Sequence, residues 1–177
     1  KVDSRSGREL GRYRTCPPNV NGQPSRTTVD LMGNCWVVNR YAGTVIKVGL
    51  LESGVYIDRN GNGQADTSRD LNNDGDITGA EVLPWGQDEC VLFEVMLSPG
   101  TENTYVPGTY AGSYYNDWGY PGPRGVAVDS SGNCWVGTLE TKKFYYLDGL
   151  TGSILRTIDV APINHRSYGA VLDRNGI

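Results

Sequence analysis

The fold is decided by Val29-Asp30-Leu31-Met32-Gly33-Asn34-Cys35-Trp36-Val37, because most of this stretch occurs again as Val128-Asp129-Ser130-Ser131-Gly132-Asn133-Cys134-Trp135-Val136. Seven of the nine positions are identical. A third copy begins at Tyr168-Gly169-Ala170-Val171-Leu172-Asp173, 44 residues after the second by its aspartate. The first two copies are 99 residues apart, one unit plus an insertion of 55. A period of this length indicates a repeat architecture.

Each repeat unit has the pattern of short strands joined by turns. In the second copy, apolar and β-branched runs predict strands over 125–128, 134–138, 143–147 and 154–160, with glycine-containing turns between them. Four short antiparallel strands in 40–45 residues are typical of one blade of a β-propeller.

The residues of this unit resemble a known family of repeats. The segment Arg124-Gly-Val-Ala-Val-Asp-Ser-Ser-Gly-Asn-Cys-Trp-Val, followed by Tyr146-Leu-Asp-Gly-Leu-Thr-Gly, is similar to the blades of NHL and streptogramin-lyase propellers. The similarity covers about residues 26–51, 91–98 and 124–177. It implies an all-β fold of β-propeller-like, four-stranded antiparallel blades, of which this chain would carry an incomplete propeller. An unrelated meander or sandwich is the alternative.

The repeats divide the chain into segments. We expect an N-terminal arm over 1–25, a blade over 26–98 with an insertion at 52–90, an aromatic loop over 99–123, a second blade over 124–163 and the start of a third over 164–177. Propellers need about four to eight blades to close. We therefore expect a fragment, or a protomer that another chain completes.

The insertion contains a twelve-residue stretch, 70–81, that resembles an EF-hand calcium loop. Oxygen-bearing side chains occupy positions 1, 3 and 5, glycine occupies position 6, and a glutamate occupies position 12. In such a loop alternate residues surround the cation with six or seven oxygens. The predicted ligands are Asp70, Asn72, Asp74, Asp76 through its carbonyl, Thr78 and Glu81.

A second stretch with the same spacing precedes it. Positions 1, 3, 5, 7 and 9 are Asp58, Asn60, Asn62, Gln64 and Asp66, and position 6 is a glycine. Position 12, however, is an arginine, Arg69. Asp70, Asp88 or Glu89 are candidates to replace the missing carboxylate, so the sequence predicts one or two calcium ions. Solvated Asn/Gly/Asp turns are the alternative for both stretches.

The flanks of the loops indicate a structural role for the metal. Only Thr67, Ser68 and Arg69 lie between Asp66, the last predicted ligand of the first loop, and Asp70, the first of the second. Pro84 obstructs an outgoing helix, so the paired helices of a calcium sensor have no room. The arrangement is similar to dockerin and thrombospondin type 3 modules, which implies an extracellular or cell-surface protein. Residues 52–94 hold ten acids against two arginines, so without calcium the insertion is expected to lose order.

Composition excludes several other classes. The 177 residues carry a net charge of −4 with no apolar run of about 18 residues, so we expect no membrane span, and no basic stripe suggests nucleic acid. Lys1 does not open a basic-then-apolar signal segment, so we expect any export signal to have been removed or to lie outside this chain. The four cysteines form no CxxC pair and allow three disulfide pairings or buried thiols.

Beyond calcium, the chain offers one aromatic cluster and little catalytic chemistry. Rings at 105–120 among Gly, Pro and Ser would stack on a sugar or a protein partner, or else cap the rim between blades. The candidate ligand-binding residues are Tyr110, Tyr114, Tyr115 and Trp118. The only histidine, His165, lies in an inter-blade loop without a paired acid, so no catalytic residue is assigned.

Together these features predict an extracellular calcium-binding propeller segment that acts in recognition, adhesion or assembly. Its partners would be a protein or carbohydrate surface, other copies of the chain, or the rest of the propeller. Two alternatives remain open: a propeller-type lyase or lactonase whose active site lies partly outside this chain, and a protomer of an extracellular filament.

Overall fold

The computed structural model describes residues 1–115, 120–173 and 175–176. These residues form nine strands and three single-turn 3₁₀ helices, and within them no helix is long and apolar enough to cross a membrane. The strands are β1 Pro24–Val29, β2 Cys35–Asn39, β3 Thr44–Val48, β4 Val91–Met96, β5 Asn103–Tyr105, β6 Pro123–Val128, β7 Cys134–Thr138, β8 Lys143–Leu147 and β9 Ile154–Asp159. The 3₁₀ helices are Leu51–Ser53, Gly79–Glu81 and Ala161–Ile163.

The strands form two antiparallel sheets in simple sequential order. The first sheet is β1-β2-β3-β4-β5 and the second is β6-β7-β8-β9. This confirms the all-β prediction of propeller-like, four-stranded blades without closure. β5 differs from expectation, because it lies in 99–123, which the sequence predicted as loop. It is only three residues long and owes its place to pairing with β4, which a local pattern does not reveal.

The repeated motif is a tight β1–β2 turn. The N–H of Asp30 donates to the carbonyl of Asn34 at 2.9 Å, and Gly33 has φ +85°. In the second copy the same bond joins Asp129 to Asn133 at 2.9 Å, and the glycine has φ +84°. A left-handed residue in the turn explains why both copies carry glycine there.

The main core lies between the two sheets. Trp36 is fully buried and meets Phe93 edge-on, with ring centroids 5.4 Å apart. Burial of apolar surface is the dominant favourable term in folding, so this interface joins the sheets. Its buried members are Trp36, Val38, Val45, Phe93, Val95, Leu97, Val126, Cys134, Val136, Tyr145 and Leu147.

The opposite face of the first sheet has its own apolar cluster. Val37, Ile46 and Val48 pack there with Cys90 and Val91. The cover comes from outside the sheet: Tyr13 belongs to the N-terminal arm, and Tyr56 and Trp85 belong to the insertion. The arm and the insertion are therefore held on the same face of the first blade.

Residues 164–173 and 175–176 contain no strand, although the sequence predicts the start of a third blade there. They still contact the first strand of each sheet, β1 and β6. The guanidinium groups of Arg26 and Arg124 lie 5.1 and 4.9 Å from the ring centroid of Tyr168. The neighbouring Ser167 is buried.

The four cysteines, Cys16, Cys35, Cys90 and Cys134, are all free thiols in the structure. Burial raises the pKa of each thiol above its ordinary value. A thiolate is the reactive form, so these side chains are poorly reactive and pack as small apolar groups.

Candidate metal centre

The insertion leaves the first sheet after β3 and returns at β4. The N–H of Gly49 donates to the carbonyl of Cys90 at 2.8 Å, which closes the insertion at its base. A Cβ at Gly49 would lie 2.1 Å from the carbonyl oxygen of Val55, so only glycine permits this close approach of the two chain segments. We call this point the neck of the insertion.

The loop 70–81 is curled by hydrogen bonds from its backbone to its side chains. Asp70 Oδ2 accepts the N–H of Gly75 at 2.9 Å. Asn72 Oδ1 accepts the N–H of Asp74 at 2.8 Å, and Asp74 Oδ1 accepts the N–H of Asp76 at 2.9 Å. Side-chain oxygens at positions 1, 3 and 5 are thus fixed along one curled backbone.

The end of the loop is tied back to its beginning by Glu81. One carboxylate oxygen accepts the N–H of Leu71 at 2.9 Å, and the other accepts the N–H of Thr78 at 3.0 Å. The short 3₁₀ helix Gly79–Glu81 places the glutamate there, and Thr78 and Glu81 form a capping box at its start. Position 12 is therefore brought against positions 2 and 9.

Asp70 has one carboxylate oxygen that no protein donor uses. Its Oδ2 is used by Gly75 and by the guanidinium of Arg8, 2.9 Å away, whereas its Oδ1 is buried without a hydrogen-bond partner. A buried unpaired carboxylate oxygen is costly, and a hard cation would satisfy it. Burial would raise the pKa of Asp70, but the bonds from Arg8 and Gly75 outweigh it and lower the pKa, which keeps the group ionised.

The loop 58–69 repeats the same construction. Asp58 Oδ2 accepts the N–H of Gly63 at 2.9 Å, which is again a bond from position 6 to position 1. The oxygens at positions 3 and 5 accept the N–H groups two residues on, with Asn60 bonded to Asn62 at 2.9 Å and Asn62 to Gln64 at 2.8 Å.

Asp66, at position 9, closes the first loop. Its Oδ2 accepts the side-chain amides of Asn60 and Asn62, at 2.6 and 3.0 Å. Arg69, at position 12, turns away and donates to the carbonyl of Ala65 at 3.3 Å. The first loop therefore shares the curl of the second loop and lacks only a carboxylate of its own at position 12.

The Asp88 carboxylate accepts hydrogen bonds from the end of the first loop and from Cys90. It accepts bonds from Thr67 Oγ1 at 2.9 Å, from the N–H and Oγ of Ser68 at 2.9 and 2.7 Å, and from the N–H of Cys90 at 3.1 Å. These four donors occupy its oxygens. Asp88 thus fixes residues 67 and 68 at the end of the first loop, and these four bonds leave its oxygens no lone pair for a cation.

The N-terminal arm packs on the loop 70–81. The N–H of Glu9 donates to the carbonyl of Gly75 at 2.8 Å, and Glu9 Oε2 accepts the N–H of Ile77 at 3.0 Å. Arg8 reaches Asp70, and Lys1 pairs with Glu52. The basic arm thus lies against the acidic insertion, which explains the charge asymmetry of the sequence.

Among the described residues, no three His, Cys, Asp or Glu side chains are clustered as a metal site would gather them. In each loop part of the predicted donor set is amide, hydroxyl or main-chain oxygen, which such a cluster does not include.

The aromatic segment packs largely on itself. Tyr110 meets Tyr105 and Tyr114 edge-on, with ring centroids 4.9 and 5.1 Å apart, and Tyr115 meets Tyr120 at 5.1 Å. Tyr115 and Tyr120 remain 37% and 38% exposed. Trp118, the fourth candidate ligand-binding residue, lies outside the described residues. Elsewhere His165 stacks on Phe144 at 5.7 Å.

Sequence reasoning missed one buried acid, Glu94 on β4. Its side chain is fully buried on the arm-covered face, Oε2 accepts the hydroxyl of Tyr114 at 2.9 Å, and Oε1 has no partner. Burial raises the pKa of Glu94 to about 7, although the Tyr114 bond opposes the rise. The signal was a lone glutamate in the apolar run Val91–Met96.

The fold and the loops define a class of protein: an all-β chain of propeller-like antiparallel blades with an acidic insertion in its first blade. No family model matches the chain, and no curated protein matches it. One similar solved structure is selenomethionine-substituted virginiamycin B lyase from Staphylococcus aureus, with 15% identity and a TM-score of 0.30. The match covers 86% of this chain and 46% of the lyase, so the chain spans about half the length of that protein.

Proposed function

We propose that the insertion binds calcium as a structural ion, in a propeller-like module that acts in recognition, adhesion or assembly. The observation that supports this most strongly is Asp70, whose Oδ1 is buried without a partner at the first position of an EF-hand-like loop. The repeated bond from position 6 to position 1, at 2.9 Å in both loops, supports a second ion.

The ion would act by ordering both the insertion and the arm. Asp70 binds Arg8, and the backbone of the same loop binds Glu9. The arm in turn covers the outer face of the first blade through Tyr13. Extracellular calcium modules bind at about 10⁻⁴–10⁻³ M, which suits a structural ion at an extracellular or cell-surface location.

The proposal is tested by unfolding with and without calcium. With a dissociation constant in that range, 10 mM CaCl₂ would stabilise the protein by about 1–3 kcal/mol and raise its Tm by about 3–10 °C over EDTA. Asp70→Asn should lose much of this gain, while 10 mM MgCl₂ should give little of it. An unchanged Tm together with no heat of calcium binding would refute a calcium site.

The proposed contact surface is the exposed aromatic pair, Tyr115 and Tyr120. A large, half-polar surface of this kind suits a sugar ring or a protein partner. Screening the chain and its Tyr115→Ala/Tyr120→Ala variant against glycan and extracellular-matrix arrays tests this. Binding that is identical for both proteins would place the contact elsewhere.

A further inference from the structure

In the loop 70–81, the carboxylate at position 12 accepts hydrogen bonds from two defined loop positions. One oxygen of Glu81 accepts the N–H of position 2, Leu71, at 2.9 Å. The other oxygen accepts the N–H of position 9, Thr78, at 3.0 Å. The carboxylate thus spans the loop from its start to its exit, where an EF-hand places its bidentate ligand.

Glu89 has the same signature in the loop 58–69. One of its oxygens accepts the N–H of position 2, Arg59, at 2.7 Å. The other accepts the N–H of position 9, Asp66, at 3.0 Å. Glu89 lies twenty residues beyond position 12, yet its two oxygens accept the N–H groups of the same two loop positions, one each. Glu81 accepts in addition the N–H of Asn72 at 3.2 Å.

The backbone also holds Glu89 in this position. Its N–H donates to the carbonyl of Asp66 at 2.9 Å, and its carbonyl accepts the N–H of Ile57 at 3.0 Å. The carboxylate is therefore fixed between the beginning of the first loop and its ninth residue, immediately before β4.

The electrostatics of Glu89 point to a cation. The residue is only 2% exposed, and none of the ion pairs formed by residues 1–115, 120–173 and 175–176 includes it. A carboxylate has about four lone-pair sites, and the two backbone donors leave the others available. The nearby Arg59 guanidinium interacts with this charge, but it donates to the carbonyls of Asp88 and Val91 and not to the carboxylate, so the remaining lone pairs of Glu89 are left for a cation.

We propose that Glu89 is the twelfth-position calcium ligand of the first loop, supplied from the base of β4 in place of Arg69. This rests on the proposed calcium function. A calcium ion held by Asp58 and Glu89 would connect the loop 58–69 to the chain just before β4. This ion would therefore hold the insertion against the first blade.

The test is calorimetric titration of the EDTA-stripped chain with CaCl₂. The unmodified chain and the control Glu52→Gln should each bind two ions. Glu89→Gln should bind one ion, because it loses the ion of the first loop. Glu81→Gln should keep that first-loop ion. If the unmodified chain binds no calcium, the proposed function fails. If it binds two ions and Glu89→Gln still binds two within threefold of the original affinity, Glu89 is not a ligand while the calcium function stands.

A second variant separates ligation from a merely structural role and serves if Glu89→Gln does not fold. Glu89→Asp retains the charge but is shorter by one methylene, so it should lower the affinity of the first loop for calcium at least tenfold. Europium then serves as the probe, in chains that also carry Glu81→Gln so that the first-loop ion is the one observed. Luminescence lifetimes in H₂O and D₂O count the water molecules bound to the ion, and Glu89→Asp should have at least one more than the chain that retains Glu89. Unchanged affinity and hydration would overturn the proposal.

Discussion

Replacing Glu94 by glutamine should change how the stability of the protein depends on pH. Glu94 is fully buried, and the hydroxyl of Tyr114 is bonded to one oxygen while the other oxygen has no partner. Burial raises its pKa from 4.5 to about 7 in the folded protein. The neutral acid is thus favoured by folding, so its contribution is fully present below pH 4.5 and is lost as the pH rises through about 7.

The size of the effect follows from the two pKa values. A rise from 4.5 to about 7 corresponds to about 3 kcal/mol of folding free energy, at about 1.4 kcal/mol for each pH unit. Glutamine keeps the shape and cannot ionise. Relative to the unmodified chain, Glu94→Gln should therefore gain about 3 kcal/mol between pH 4 and pH 8.

Urea unfolding of both proteins at half-unit pH steps from 4 to 8, in EDTA, measures this difference directly. Glu102→Gln is the control, since Glu102 has a lowered pKa and pairs with Lys143. Tyr114→Phe removes the bond that opposes the rise, so it should move the Glu94 transition to higher pH. A difference between Glu94→Gln and the unmodified chain that stays constant from pH 4 to 8 would refute the reasoning.

Three further substitutions test the arm, the repeated turn and the core. Arg8→Ala removes the ion pair that holds the arm on the insertion, so arm cleavage by a protease in trace amounts should rise by up to about fivefold, and an unchanged rate would contradict arm anchoring. Gly33→Ala should destabilise more than Gly132→Ala by urea unfolding, because a Cβ at Gly33 would lie 2.6 Å from the Leu50 side chain while Gly132 has open space. Trp36→Ala should cost about 3–5 kcal/mol, and a loss below 1 kcal/mol would contradict a shared core.

The strands of the second blade could be predicted because their signals are local. Runs over 125–128, 134–138 and 143–147 alternate or are continuously apolar, and β6, β7 and β8 lie on those residues. β5 carries no such pattern in its three residues, and its strand geometry comes from pairing with β4. The packing of the arm was also hidden, since Tyr13 joins the core only through contacts with residues distant in sequence.

For the candidate site, too, the local pattern could be read from the sequence and the long-range contacts could not. The spacing of the two loops identified their oxygen-bearing positions, because the spacing itself sets which residues share the inside of a curl. Which acid would replace Arg69 was not decidable, since Asp70, Asp88 and Glu89 were equal candidates by composition. Hydrogen bonding distinguishes two of them: four donors occupy the oxygens of Asp88, whereas Glu89 accepts the N–H groups of first-loop positions 2 and 9.

The neck at Gly49 and Cys90 has a consequence for the order of folding. β1 and β2 are joined across 6 residue positions, from Val29 to Cys35, whereas β3 and β4 are neighbours across 43, from Val48 to Val91. Closing the longer connection costs about 2 kcal/mol more in chain entropy. The second sheet, with only short hairpins, should therefore form first during refolding and offer its apolar face as a template. An ion that compacts the insertion would bring β3 and β4 closer together and would therefore speed their pairing.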